Sequence, residues 1–255
     1  MKVVILAGGL GTRLSEETVV RPKPMVEIGG KPIIWHIMKT FSYYGMNDFI
    51  ICCGYKGYFI KEYFFNYLYH NSDVEVDLKK GTTKVLNKTV EPWKITLVDT
   101  GENSGTGGRL LYLRDFLKDD FCFTYGDGVS NVDIKSLINF HKKSDNIATV
   151  TAVKPPGRFG ALEIEKKNVI KFHEKPAGDG SYINGGFFVL SPEVLNYIKN
   201  KEQAWESEPL EAIAKEKKLG AFIHDDFWQP MDTLRNKNYL ESLWESGNPP
   251  WKVWK

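Results

Sequence analysis

The feature that most constrains this chain is a run of four apolar residues, Val3, Val4, Ile5 and Leu6, that passes straight into the segment AGGLGTRL. The run shows no helical period, so it reads as a strand buried on both faces, as strands are in a parallel sheet. Glycines at 8, 9 and 11 then turn the chain sharply. Lacking side chains, they let backbone N–H groups come close to an anion. Two cations follow: Arg13, with a fixed fork of donors, and Lys23, a mobile point charge. A buried strand, a glycine turn and two cations in one short stretch point to a triphosphate site.

Rival readings of the turn have to be met. A dinucleotide-binding fingerprint needs a third glycine at position 14, which is Leu14, and Glu27 does not follow a second strand. A P-loop needs Gly-Lys-Ser/Thr, whereas Gly11 is followed by Thr12 and Arg13. An ordinary strand-to-helix turn is open to any α/β protein, and the glycines alone do not separate it from a phosphate loop.

Further along, the pattern alternates between strands and helices. Residues 31–44 carry apolar side chains at 33, 34, 37, 38 and 41, a helical stripe with Pro32 in the first turn and Gly45 as a stop. The spacing predicts strands at 48–53, 94–98, 121–125 and 147–154, and helices at 56–69, 109–117 and 132–143. Segments 160–164, 169–173 and 182–190 read as strands of a second half-sheet. Residues 84–90 read as an edge hairpin, 221–228 as a strand, and 192–199 and 206–218 as helices. The aromatics Phe59, Tyr63, Phe64, Tyr67 and Tyr69 suit core or a subunit contact, and the tail tryptophans 244, 251 and 254 need cover from the body or another subunit.

Two further glycine-rich sites follow strands. Glycines 105, 107 and 108 feed a helix start, a geometry suited to an anion or a base edge. Asp127 lies between Gly126 and Gly128 at the end of strand 121–125, where α/β sheets place ligands. An Asp-Gly turn accounts for it equally; beside a triphosphate loop it suits Mg²⁺, which takes one or two carboxylates plus phosphate oxygens. Asp232 precedes a helical run and suits an N-cap.

Composition excludes several classes. A net charge of +2 with no basic stripe argues against a nucleic-acid partner, so the phosphate belongs to a small molecule. Three cysteines, two of them adjacent in an apolar run, suggest buried thiols in a reducing compartment rather than disulfides. No apolar stretch approaches a membrane span and the N-terminus carries no signal-peptide pattern, so a cytoplasmic location is expected.

The strings GGLGTRL, RPKPM, GGKP at 29–32, TGGRL at 106–110, TYGDGV at 124–129 and WQPMDT at 228–233 together resemble the signature of the sugar-phosphate nucleotidyltransferases. The resemblance covers nearly the whole chain. It implies a single α/β domain over 1–255, with a central mixed, mostly parallel sheet flanked by helices. Residues 1–130 would mainly serve the nucleotide and 131–255 the sugar phosphate. Nucleotide contacts are implied at Leu6, Ala7, Gly8, Gly9, Leu10, Gly11, Thr12, Arg13 and Lys23, then at Ser104, Thr106, Gly107, Arg109 and Gly126. Sugar-phosphate contacts are implied at Gly160, Glu174, Lys175 and Asn184, with Lys175 on the phosphate and Glu174 on ring hydroxyls. Asp127 and Asp232 would hold Mg²⁺, and Arg13, Lys23 and Asp127 would be catalytic. Two extra residues between Trp228 and Asp232 depart from the family's Trp-x-Asp-Thr spacing.

Within the family the spelling is most similar to members that join CTP and glucose 1-phosphate, and it implies a homo-oligomer. From the residues alone, UTP, dTTP or another hexose 1-phosphate stays open, since cytosine and uracil differ by one donor–acceptor swap. A non-catalytic sugar-nucleotide sensor on the same fold would be expected to lack Arg13, Lys23 or a metal carboxylate, and this chain has all of them.

Overall fold

The apolar run at the start of the chain becomes an inner strand, β1 (Lys2–Ala7), whose residues 3–5 have no exposed surface. The computed structural model describes the backbone of residues 1–155, 161–165, 168–173 and 181–255, with side chains for these residues apart from 13, 15, 16, 88 and 161–173. Along the chain follow β2 (Asp48–Cys53), β3 (Lys94–Asp99), β4 (Phe121–Tyr125), β5 (Ala148–Val153), β6 (Ile183–Leu190) and β7 (Leu219–His224). They form one seven-stranded sheet in the order β7-β5-β6-β4-β1-β2-β3. β1 runs parallel to β2 and β4, β2 to β3, and β5 to β7, while β6 is antiparallel to both β4 and β5.

The side-chain period of two sorts the core. Val3, Ile5 and Ala7 pack on one face with Ile34, Met38 and Phe41 of α1 (Ile33–Tyr43). Val4 and Leu6 pack on the other with Leu110, Phe123 and Trp205. Helices α2 (Gly57–His70), α3 (Thr106–Leu111), α4 (Ile134–Lys142), α5 (Glu208–Lys215) and α6 (Leu234–Glu245) complete the layers.

Several local expectations change: the strand expected at 221–228 divides into Leu219–His224 and Trp228–Pro230, and the helix expected at 192–199 is a 3₁₀ turn over Pro192–Tyr197. α1 begins at 33 rather than 31, because Lys31–Pro32 pairs with Glu27–Ile28 as a two-residue hairpin whose corner, Gly29-Gly30, has positive φ at both positions (59° and 72°). Residues 183–190 join the main sheet, and among the described residues Ala161–Glu165 and Asn168–His173 pair with each other and not with 183–190 as the expected half-sheet. The expected edge hairpin is larger, Ser72–Asp77 against Thr82–Lys88.

The tryptophan-rich tail docks on the body and braces that first hairpin. Trp251 is fully buried, stacks on Phe227 with centroids 5.7 Å apart, and donates from Nε1 to His36 Nδ1 at 3.3 Å. His36 must therefore carry its proton on Nε2, which lies 2.8 Å from Ile28 O. Burial drives this imidazole pKa down to about 4, so it is neutral. Glu241 of α6 accepts from Gly29 N at 3.0 Å, and a Cβ on Gly29 would meet Trp244 Nε1 at 2.0 Å. The glycine at 29 is thus required twice, by its φ and by the indole above it.

Candidate active site

The site lies where β1 and β4 end side by side. Leu6 pairs with Tyr125, so Gly8 and Gly126 leave the sheet together, and the order β3-β2-β1-β4 makes this gap a topological switch point. The side chains of Leu6 and Ala7 are buried, leaving only their backbone for a ligand, whereas Gly9 and Leu10 are exposed at the loop tip. Gly11 has φ +66°, and Leu14 N closes on Gly11 O at 3.0 Å. The Thr18 hydroxyl donates to Leu14 O and Gly11 O, pinning the loop from below. Thr12 and the backbone of Arg13 stand in the helical turn Thr12–Leu14.

Lys23 is set by its neighbours in sequence. Prolines at 22 and 24 restrict the backbone, and the turn Lys23–Met25 closes through Met25 N to Pro22 O at 2.8 Å. Gly126 lets this turn lie on the strand end, because a Cβ there would sit 2.7 Å from Leu6 O and 3.1 Å from Pro24 Cγ. The Lys23 ammonium, its side chain 8% exposed, donates to Asp127 Oδ2 and to Asp232 Oδ1, each at 2.7 Å.

Asp232 reaches Asp127 through a short ribbon. Trp228–Pro230 pairs antiparallel with Gly128–Ser130, and Met231 N donates to Asp127 O at 2.8 Å. Gln229 and Pro230, between Trp228 and Asp232, belong to the strand of this ribbon. The expected N-cap role of Asp232 falls instead to Thr233, which forms a capping box with Asn236 at the start of α6. Among the described residues no three histidine, cysteine or acidic side chains are grouped to hold a metal. Two carboxylates that share a cation, beside a glycine-rich loop, suit Mg²⁺, which completes its shell with phosphate oxygens and water.

Beyond this pair opens a cleft of about 1050 Å³ walled by Asp127, Asn184, Glu206, Trp228, Arg235 and Tyr239 among others. Asn184, expected from the sequence to contact the sugar phosphate, lines this cleft. Its Oδ1 accepts from Gly186 N at 2.8 Å, which turns its amide N–H toward Tyr125 Oη at 3.3 Å. Tyr125 donates to Glu206 Oε1 at 2.5 Å; burial first, then Glu206, holds this phenol above its ordinary range. Tyr125, Glu206, Trp228 and Arg235 escaped sequence reasoning. The position of Tyr125 just before Gly126-Asp127 was a usable signal, whereas Glu206 lies in a loop with no motif.

Segment 104–109 changes most. A Cβ on Gly105 would meet Gln203 O at 2.4 Å, on Gly107 at 3.0 Å, and on Gly108 would meet Lys201 O at 1.8 Å. Gly105 N and Gly108 N donate to Lys201 O and Gln203 O. The glycines admit the 201–205 backbone, so the close approach expected of a ligand is made here by the protein. Arg109 is only 3% exposed and donates to Gly8 O, Thr100 Oγ1, Gly101 O and Glu102 O at 2.7–3.1 Å. Its guanidinium braces the exits of β1 and β3 from behind. Ser104 donates to Thr100 O, and Thr106 to Glu206 Oε2, both at 2.5 Å. Gly160, Glu174, Lys175 and the Arg13 side chain lie outside the described residues.

A glycine loop after a buried strand, a lysine between two aspartates and a broad cleft beside them define a class, and the chain belongs to the nucleotidyl transferase family, whose profile matches residues 2–242. It is 62% identical, over the full length of both chains, to glucose-1-phosphate cytidylyltransferase of Salmonella typhi. It is 32% identical to mannose-1-phosphate guanyltransferase of Saccharomyces cerevisiae, over 95% of this chain and 66% of that one. HddC from Yersinia pseudotuberculosis shares the fold, with TM-score 0.69 at 24% identity, covering 95% of this chain and 99% of that one.

Proposed function

We propose that this chain transfers the cytidylyl group of CTP to glucose 1-phosphate, releasing pyrophosphate and forming CDP-glucose, with Mg²⁺ as cofactor. The observation that carries the chemistry is the Lys23 ammonium 2.7 Å from both Asp127 and Asp232 at the mouth of the glycine loop. The choice of base and sugar rests on the full-length similarity to the Salmonella enzyme.

In the reaction a phosphate oxygen of glucose 1-phosphate forms a bond to the α-phosphorus while the bond to the β-phosphate breaks in line. The nucleophile is already an anion, so no general base is needed; alignment and charge neutralisation are the task. Lys23 swings from its two carboxylates onto the α-phosphate as charge develops there. Backbone N–H groups of 8–12 and Arg13 hold the departing pyrophosphate, and Lys175 holds the sugar phosphate. Asp127 and Asp232 would hold Mg²⁺, which would supply charge neutralisation to the phosphates. Arg109 keeps the β1 and β3 exits in place through the carbonyls it grips.

Two statements about setting complete the reading. Cys52, Cys53 and Cys122 are free and buried, which fits a reducing compartment, and we place the enzyme in the cytoplasm. No helix among the described residues is long and apolar enough to cross a membrane. The enzyme assembles as a homo-oligomer: Tyr58 and Phe65 of α2, at 69% and 75% exposure, and Val76 and Leu78 of the following hairpin offer apolar surface suited to a second copy.

The test is pyrophosphate release with glucose 1-phosphate and CTP, UTP, dTTP, ATP or GTP in turn. Turnover with CTP at least tenfold above the others is expected. Equal turnover with UTP or dTTP removes the base assignment, and no turnover with any nucleotide removes the reading.

A further inference from the structure

The cleft also holds a chain of hydrogen bonds whose donors all point one way. Gly186 N donates to Asn184 Oδ1, Asn184 Nδ2 to Tyr125 Oη, and Tyr125 Oη to Glu206 Oε1. From the other side Trp205 N donates to Thr106 Oγ1 at 2.8 Å, and Thr106 Oγ1 to Glu206 Oε2. Each hydroxyl accepts one bond and gives its single proton to Glu206. The carboxylate is the common end of both chains, and each of its oxygens has one hydroxyl on it.

An ionised carboxylate has about four acceptor positions, so roughly two remain on the cleft side. Among the described residues no cation pairs with Glu206, unlike the aspartates, which share Lys23. An unpaired negative charge is misplaced beside phosphates but suited to donors without charge. The 201–206 segment that carries it is fixed, since it lies on Gly105, Gly107 and Gly108 of the α3 start.

We infer that Glu206 is a specificity-determining residue of the sugar subsite, accepting hydrogen bonds from hydroxyls of a neutral hexose 1-phosphate and turning away sugars with an anionic group at that end. The inference rests on the proposed sugar-phosphate reading of the cleft. Removing a hydroxyl from the sugar would leave part of the carboxylate desolvated and unpaired, which is how polar sites reject analogues that lack a donor.

The experiment measures equilibrium binding of glucose 1-phosphate and its 2-, 3-, 4- and 6-deoxy analogues by protein-observed NMR, which needs no turnover, together with KM for CTP and for the sugar phosphate. The wild-type protein should bind at least one deoxy analogue about tenfold to hundredfold more weakly than the parent, the range for a hydrogen bond to a charged group. In Glu206→Gln that penalty should shrink to a few-fold, with KM rising for the sugar phosphate and not for CTP. Thr106→Val removes one hydroxyl holding the carboxylate but not its charge, and should keep the deoxy-sugar penalty even where CTP binding weakens. Equal penalties in wild type and Glu206→Gln, or a Glu206→Gln effect confined to CTP, overturn the inference and leave the transferase reading intact. The expected binding pattern without turnover on any nucleotide removes the transferase reading and leaves Glu206 as a sugar ligand. No binding of glucose 1-phosphate to the wild type removes both.

Discussion

Replacing Lys23 by methionine removes a cation that contacts both aspartates. The ammonium sits 2.7 Å from each carboxylate, with side-chain exposures of 8% for Lys23, 32% for Asp127 and 16% for Asp232. At an effective dielectric of about 20 each contact is worth roughly 6 kcal/mol in gross Coulomb energy. Desolvation of three charged groups offsets most of that, so the lysine's net contribution should be about 2 kcal/mol. The variant loses this contribution. For a chain of this size that is roughly 4–8 °C in Tm. The assay is thermal unfolding at pH 7.5 in EDTA, then with rising MgCl₂ at matched ionic strength. In Lys23→Met the dication takes the place of the ammonium, and at ten times its Kd Mg²⁺ should restore about 1.4 kcal/mol. In the wild type without nucleotide Mg²⁺ must displace Lys23, so it should add little. A variant as stable as wild type in EDTA, or equal stabilisation of both proteins by Mg²⁺, would refute this reasoning. Turnover of the variant should fall about 10²–10³-fold.

Other expectations follow from single contacts. The folded pKa of His36, about 4, lies below its ordinary 6.5, so the unfolded chain protonates first as pH falls. Its contribution is complete above pH 6.5 and is lost between 6.5 and 4, about 3 kcal/mol in all; the urea midpoint of wild type should fall more steeply in this window than that of His36→Phe. Gly29→Ala meets both a φ of 59° and Trp244, whereas Gly30→Ala meets only its φ of 72°. Calorimetry should show losses of roughly 3 and 1 kcal/mol respectively. Phe65→Glu puts a charge on the exposed α2 face and should lower the mass seen by light scattering, with Tm at high dilution unchanged.

How much of this was legible in the sequence depends on how far each feature reaches along the chain. The β1 strand, its glycine turn, the α1 stripe and the Gly126-Asp127-Gly128 strand exit are local patterns, and they stand in the fold where they were read. The start of α1 was misjudged because a Gly-Gly hairpin and a helix start share Lys31–Pro32. The glycines at 105, 107 and 108 signalled a close approach, but a sequence cannot say whether a ligand or the 201–205 backbone makes it. Arg109 has the same ambiguity, since a guanidinium suits phosphates and carbonyls alike. The meeting of Asp232 with Asp127 depends on a ribbon between strands that are distant in sequence, and only the family resemblance anticipated it. Glu206 had no local signature at all.

The claim on which all of this depends is that Asp127 and Asp232 hold a single ion against the nucleotide. Electron paramagnetic resonance of Mn²⁺ titrated into the protein with CTP tests it directly, using wild type, Asp127→Asn and Asp232→Asn. One Mn²⁺ per chain is expected in the wild type beyond that bound by free CTP, with affinity at least tenfold weaker in either variant. Wild-type affinity in either variant would contradict the claim.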